Sequence, residues 1–152
     1  MGLKTVDEIL DFAIQKEQDA ADFYTGLADK MDRKHLKQIF LDFAEEEKRH
    51  KSKLIAAKDG KIMLSSEKKV QDLGIGDHLT NIDTDAGKEL DYQQALIVAM
   101  KAEKAAYKLY MDLAEAADKQ DVKDLFLGLA NEEAKHKLRF EIEYDDAILT
   151  EN

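Results

Sequence analysis

The chain has 152 residues, no proline, no cysteine and a formal net charge of −10. The missing cysteines exclude disulfide bonds, thiolate metal sites and iron–sulfur clusters, and the negative charge argues against nucleic acids and anionic membranes as partners. The N-terminal residues lack the apolar segment of a signal peptide, and no apolar run approaches the roughly 20 residues that cross a bilayer, so we expect a soluble cytoplasmic protein.

The abundance of helix-forming residues predicts an all-α protein with one domain over residues 1–152. Thr5 and Glu8 have the spacing of a capping box at the start of the first helix. From Val6 onwards, alternating steps of four and three residues define one face of this helix. That face is apolar or aromatic throughout, with the single exception of Glu17.

The second helix is predicted to begin after Asp32 and to end at Asp59, before a glycine. Its apolar face is interrupted by Glu47 and His50. These two residues form a Glu-x-x-His motif, and residues three apart on a helix point to the same side. The short connection to the first helix predicts an antiparallel hairpin.

Residues 60–90 contain glycines and polar clusters and show no sustained helical periodicity. A segment of this length is too long for an ordinary structureless loop. We therefore predict a long crossover that packs on the bundle, with one short helix near Ser66–Leu73. Such a crossover would let the third helix run parallel to the second.

The third helix is predicted to open with a second capping box, Asp91 and Gln94. Its apolar face carries one charged residue, Glu103. The fourth helix carries a second Glu-x-x-His motif, Glu133 with His136.

The two halves of the chain are repeats of one another. A shift of 86 residues places 5–54 on 91–140 without a gap, and sixteen of the fifty positions are identical. Unrelated sequences would share about three or four. We therefore predict two copies of a helical hairpin related by a pseudo-twofold axis. The predicted limits are about 5–59 and about 91–148 for the hairpins, and about 60–90 for the crossover between helices 2 and 3.

Six charged residues interrupt the apolar faces: Glu17, Glu47, His50, Glu103, Glu133 and His136. Burying an unpaired carboxylate costs several kcal/mol, and clustered carboxylates repel one another. These faces contain no lysine or arginine to neutralise them, whereas two divalent cations would balance the four carboxylates. A polar core layer satisfied by hydrogen bonds is the alternative. Carboxylate and imidazole ligands without sulfur suit iron or manganese, and zinc as well.

Two further pairs of residues repeat beside these six. Glu46 and Glu132 lie four residues before the histidines, a spacing that allows them as substitute ligands. Because they fall off the apolar faces, we interpret them as exposed or as outer partners of the ligands. Tyr24 and Tyr110 lie two turns beyond Glu17 and Glu103 on the same face. Two roles are possible for these tyrosines: packing in the core, or donation of the hydroxyl hydrogen bond to a ligand carboxylate.

The six residues, in this order, resemble the ferritin-like superfamily and are most similar to the di-iron domain of rubrerythrins. The resemblance covers nearly the whole chain. It implies a four-helix bundle, usually a homodimer, whose two iron ions reduce hydrogen peroxide to water. It also implies that Glu47 and Glu133 bridge the metals, that Glu17 and Glu103 are terminal ligands, and that each histidine binds one metal.

Two departures from rubrerythrins affect the expected function. Rubrerythrins usually carry a rubredoxin-like domain whose four cysteines bind an electron-transfer iron. This sequence contains no cysteine, so we expect a separate electron-donor protein. Many also have an additional ligand glutamate where this chain has Ala106, which makes the site more similar to the six-ligand set of bacterioferritin-like proteins. Three functions therefore stay open: reduction of hydrogen peroxide, a ferroxidase or iron-handling activity that uses dioxygen, and a non-enzymatic helical binding module.

Overall fold

The computed structural model describes residues 5–59, 73–78 and 91–151, and these residues form helices and no strand. The helices are α1 (Val6–Asp29), α2 (Lys34–Asp59), α3 (Tyr92–Ala116) and α4 (Gln120–Glu151), with a 3₁₀ helix at Ile75–His78. The prediction of an all-α four-helix bundle is confirmed. None of the described helices combines the length and the apolarity that a membrane-spanning helix requires.

Both predicted capping boxes are present. The Thr5 hydroxyl accepts a hydrogen bond from the Glu8 amide, and the Glu8 carboxylate accepts one from the Thr5 amide. Asp91 and Gln94 make the same two bonds at the start of α3. These bonds satisfy amides that no helical carbonyl can reach. The two hairpins therefore begin at equivalent positions of the repeat, although the residue types differ.

The start of α2 differs slightly from the prediction. The helix begins at Lys34 rather than immediately after Asp32. The reason is that the Arg33 carbonyl accepts the first helical hydrogen bond, from the Lys37 amide, so Arg33 occupies the capping position.

The four helices form two hairpins. α1 packs along α2 and α3 packs along α4, whereas α1 and α3 approach one another closely at few positions. Two hydrogen bonds join α1 to α3: Tyr24 donates to Glu103, and Tyr110 donates to Glu17. Each tyrosine lies two turns beyond the glutamate of its own helix, so these reciprocal bonds require that α1 and α3 are antiparallel.

The apolar side chains form two clusters, one towards each end of the bundle. One contains Leu54 and Phe126, and the other contains Phe40 and Phe140. All four of these side chains are essentially inaccessible to solvent. The layer between the two clusters holds the charged residues of the apolar faces.

The described part of the crossover packs on α3. Ile75 is 3% exposed and belongs to the same apolar cluster as Leu113. Gly74 precedes it with φ 65°, a left-handed conformation that glycine adopts without steric cost. The helix predicted near Ser66–Leu73 lies outside the described residues, apart from Leu73 itself. The domain and repeat limits stay predictions.

We expect Leu113→Ala to lower the free energy of unfolding of the metal-free protein by about 2–5 kcal/mol, because Leu113 is fully buried and its removal leaves a cavity. Leu149→Ala is the matched control, since Leu149 is 75% exposed, and we expect it to change stability by less than about 0.5 kcal/mol. Urea unfolding measures both. Equal losses for the two variants would contradict the assigned core.

Candidate metal centre

All six predicted ligands meet in the layer between the two apolar clusters, and each is at most 3% exposed. α1 and α3 each contribute one glutamate, and α2 and α4 each contribute one Glu-x-x-His motif. The alternating four–three spacing brings them together because it keeps each residue on the face that points into the bundle. The charged residues identified from the sequence therefore form one buried cluster.

The cluster divides into two overlapping groups. Within each group the ligand atoms lie within 4.8 Å of one another. The groups are Glu17, Glu47, His50 and Glu133, and Glu47, Glu103, Glu133 and His136. Glu47 and Glu133 belong to both. The arrangement therefore offers two adjacent positions, each surrounded by three carboxylates and one imidazole, with two of the carboxylates shared.

Both histidines direct Nδ1 towards the carboxylates. His50 Nδ1 lies 2.8 Å from Glu133 Oε1 and 3.3 Å from Glu17 Oε2. His136 Nδ1 lies 3.2 Å from Glu47 Oε1. The two rings are nearly parallel, with centroids 6.3 Å apart. Nδ1 is therefore the nitrogen that each histidine offers to a metal.

Many of the inward-facing atoms complete no hydrogen bond with the described residues. They are Glu17 Oε2, Glu47 Oε1, His50 Nδ1, Glu103 Oε2, both Glu133 carboxylate oxygens and His136 Nδ1. A buried polar atom without a partner costs roughly 1–3 kcal/mol. These atoms approach one another without hydrogen-bond geometry, as expected of atoms directed at shared cations. The residues present therefore fit two divalent metal ions with oxygen and nitrogen ligands.

The two tyrosines hold the terminal carboxylates from the opposite hairpin. Tyr24 donates its hydroxyl to Glu103 Oε1, and Tyr110 donates to Glu17 Oε1 over 2.6 Å. Of the two interpretations left open for these residues, the hydroxyl bond is the one present. Each bond occupies one carboxylate oxygen, and the other oxygen of Glu17 and of Glu103 faces the cluster. The tyrosines thus orient ligands, as outer partners of metal sites commonly do.

Glu46 and Glu132 hold the two histidines, again across the hairpins. His50 Nε2 lies 2.5 Å from Glu132 Oε2, and His136 Nε2 lies 2.6 Å from Glu46 Oε2. A carboxylate on Nε2 favours the tautomer that has its proton there, which frees Nδ1 for a metal. From their position off the apolar faces, these glutamates are predicted to be exposed or to be outer partners of the ligands. The signal that set them apart was their repetition, 86 residues apart.

Burial raises the pKa of the shared carboxyl groups in the metal-free protein. Burial raises the pKa of Glu47 to about 8, and the charges of Glu103 and Glu17 act in the same direction. Burial and the neighbouring carboxylates also raise the pKa of Glu133 well above its usual value. Glu47 therefore holds a proton at neutral pH when no metal is bound, and the raised pKa of Glu133 favours its protonated form as well.

The histidine pKa values are raised as well. Burial acts to lower the pKa of His136, but the carboxylates of Glu103 and Glu47 beside its Nδ1 outweigh burial and raise the pKa to about 11. Burial likewise acts to lower the pKa of His50, and the nearby carboxylates, with Glu17 contributing most, raise it overall. Without metal, protons supply the positive charge that the carboxylates require.

We expect the binding of two divalent ions to release protons near neutral pH, among them those of Glu47 and His136, whose pKa values are about 8 and about 11. Ligands must be deprotonated, and the metal-free folded protein holds these protons below the raised pKa values. The apparent metal affinity should therefore rise as the pH increases towards about 8, the pKa of Glu47. Calorimetry in buffers of different ionisation enthalpy measures the release. An affinity independent of pH would contradict the proton-filled cluster.

We expect Glu132→Ala to weaken metal binding by about 10–100-fold, because the His50 ring loses the carboxylate that orients it. Glu132→Gln keeps an acceptor at this position and should cost less. Glu45→Ala is the control, since Glu45 is exposed and contacts Lys48 outside the cluster. Competition with a chelator measures the affinities. Wild-type affinity in Glu132→Ala would show that this bond does not support the site.

The comparisons with known proteins agree with this geometry. The family model for rubrerythrin matches residues 8–81 and 94–152. The matched ranges include both Glu-x-x-His motifs and the single glutamates of α1 and α3. Comparison with curated proteins and with solved structures found no significant match. The family match spans most of the chain, and the chain therefore belongs to the rubrerythrin family.

Proposed function

We propose that this protein is a non-haem di-iron oxidoreductase that reduces hydrogen peroxide with electrons from a separate donor protein. The observation that carries the proposal is the pair of overlapping ligand groups, which share Glu47 and Glu133. The rubrerythrin family makes iron the metal we propose for both positions. Manganese and zinc share the preference for this donor set, so the choice of iron rests on the family and not on the ligands.

Each ligand has a distinct proposed role. Glu47 and Glu133, which belong to both groups, would bridge the two ions, while Glu17 and Glu103 would each bind one. His50 and His136 would complete the two coordination spheres through Nδ1. Two ferrous ions bound here would supply the electrons for cleavage of the peroxide bond.

The remaining residues of the site hold these ligands in place. Tyr24 and Tyr110 fix the terminal carboxylates, and both hydroxyls are fully buried, which raises the pKa of each tyrosine well above 10.0. The tyrosines therefore stay protonated and remain hydrogen-bond donors. Glu46 and Glu132 are 35% and 42% exposed at their side chains, so each connects an imidazole N–H to the surface. We propose that protons reach the buried site through these two carboxylates.

The proposed partners follow from the same chemistry. We propose that a separate donor protein supplies the electrons. We also propose a homodimer, on the basis of the family.

A ferroxidase is the second candidate function. The observation that favours it is Ala106, whose methyl group cannot replace the additional glutamate of many rubrerythrins. The remaining six ligands are the set that the sequence shares with bacterioferritin-like proteins. A ferroxidase would use dioxygen as oxidant and iron as substrate.

We expect the iron-loaded protein to hold about two metal ions per chain and, after anaerobic reduction, to be oxidised much faster by hydrogen peroxide than by dioxygen. Stopped-flow absorbance with each oxidant separately measures the two rates. Comparable or faster oxidation by dioxygen would favour the ferroxidase. Less than about one metal ion per chain would leave the non-enzymatic helical module as the better description.

Substitution of a shared ligand can be compared with substitution of an exposed glutamate on the same helix. Glu47→Ala should abolish the dinuclear centre and with it the oxidation by peroxide, because both metal positions lose a ligand. Glu45→Ala, two residues away and exposed, should leave both unchanged.

A further inference from the structure

A cavity of about 730 Å³ lies between α1 and α3 beside the ligand cluster. All four carboxylates of the cluster, Glu17, Glu47, Glu103 and Glu133, contribute to its lining. A water molecule occupies roughly 30 Å³ of liquid, and hydrogen peroxide has only one oxygen more. The space beside the proposed metal positions is therefore many times larger than hydrogen peroxide requires.

Most of the remaining lining area is apolar, and the charged residues that also contribute to it are Lys16, Asp19, Lys101, Lys104, Lys108 and Asp112. Phe12 lines the cavity from α1, Tyr107 and Met111 line it from α3, and Ile75 lines it from the crossover. Tyr107 and Met111 are 39% and 37% exposed, which places them where the cavity meets solvent. Volumes of roughly 300–1,000 Å³ with apolar walls and a few convergent polar groups are typical of sites for organic ligands.

Two alanines account for the space next to the carboxylates. Ala20 and Ala106 line the cavity from α1 and α3, occupy equivalent positions of the repeat, and each follows a terminal ligand by three residues. Residues three apart share a helix face, so both methyl groups lie on the ligand side. A larger side chain at either position would occupy part of the space that an organic group needs, while a cavity of this size would still admit hydrogen peroxide.

We propose, as an extension that rests on the proposed peroxide reduction, that the substrates include organic hydroperoxides whose apolar group occupies this cavity. The hydroperoxide group would then face the carboxylate cluster. The six ligands would hold two ferrous ions, which would supply one electron each and become ferric. Cleavage of the O–O bond would then take up two protons and give one alcohol and one water.

The first test measures binding without redox chemistry. The zinc-loaded protein is titrated calorimetrically with 2-phenyl-2-propanol, the alcohol formed from cumene hydroperoxide. We expect saturable binding that Ala106→Leu weakens by roughly tenfold, because leucine fills the cavity. Ala20→Leu fills it from the opposite wall and should act alike. Ala56→Leu is the control, since Ala56 is exposed on α2 and does not line the cavity.

The second test separates the two classes of peroxide. The anaerobically reduced iron-loaded protein is mixed with cumene hydroperoxide or with hydrogen peroxide. We expect both to oxidise it, and we expect Ala106→Leu to slow the reaction with cumene hydroperoxide by roughly tenfold while changing that with hydrogen peroxide by less than about threefold. Thermal unfolding verifies that the variants are folded.

The outcomes distinguish the two proposals. Oxidation by hydrogen peroxide alone, or alcohol binding that neither alanine variant weakens, overturns the organic hydroperoxide and leaves the proposed function intact. Oxidation by neither peroxide overturns the proposed function and the organic substrate together.

Discussion

Two apolar clusters can close around a charged layer only if the charges within that layer balance. Four carboxylates and two imidazoles occupy the middle of this bundle, and all are removed from water. Protons supply the positive charge without metal, as the raised pKa values of Glu47 and His136 indicate. Two divalent ions would supply it in a filled site, because their four positive charges balance the four carboxylates. The tyrosines and the outer glutamates hold the carboxylates and imidazoles in one arrangement that suits both protons and divalent ions.

The buried cluster of glutamates and histidines was predictable because each signal for it is local in the sequence. Helical spacing placed Glu47 and Glu103 on apolar faces, the repeat paired them with their counterparts, and the cost of buried charge indicated a metal. The role of Glu132 was not predictable in the same way. Its partner, His50, lies on another helix, and helical periodicity contains no information about which surfaces of two hairpins meet. The face of Tyr24 was likewise predictable, but its partner on α3 was not.

The helices pack closely within each hairpin and less closely between the two hairpins. α1 with α2 and α3 with α4 make the extensive contacts, while α1 and α3 stay apart beside the cluster. The sequence shows Ala20 and Ala106 only as small residues on core-facing positions. Whether such residues allow close approach or leave a gap depends on the distance between the helices, which is set by packing elsewhere. The closest backbone approaches therefore lie within the hairpins, the two hairpins meet through the side chains of the apolar clusters, and access to the site lies between them.

Each half of the chain supplies the tyrosine and the outer glutamate that bind the ligands of the other half, so neither half can form the site by itself. A lone hairpin holds one terminal glutamate, one Glu-x-x-His motif, and the tyrosine and outer glutamate that orient the other half's ligands. It could complete the site only against a second copy, at a protein concentration sufficient for dimerisation. Joining two copies in one chain makes that encounter intramolecular, so assembly no longer depends on concentration. The outward faces are then free to diverge, as exposed Ser52 on α2 and its counterpart, Leu138 on α4, already have.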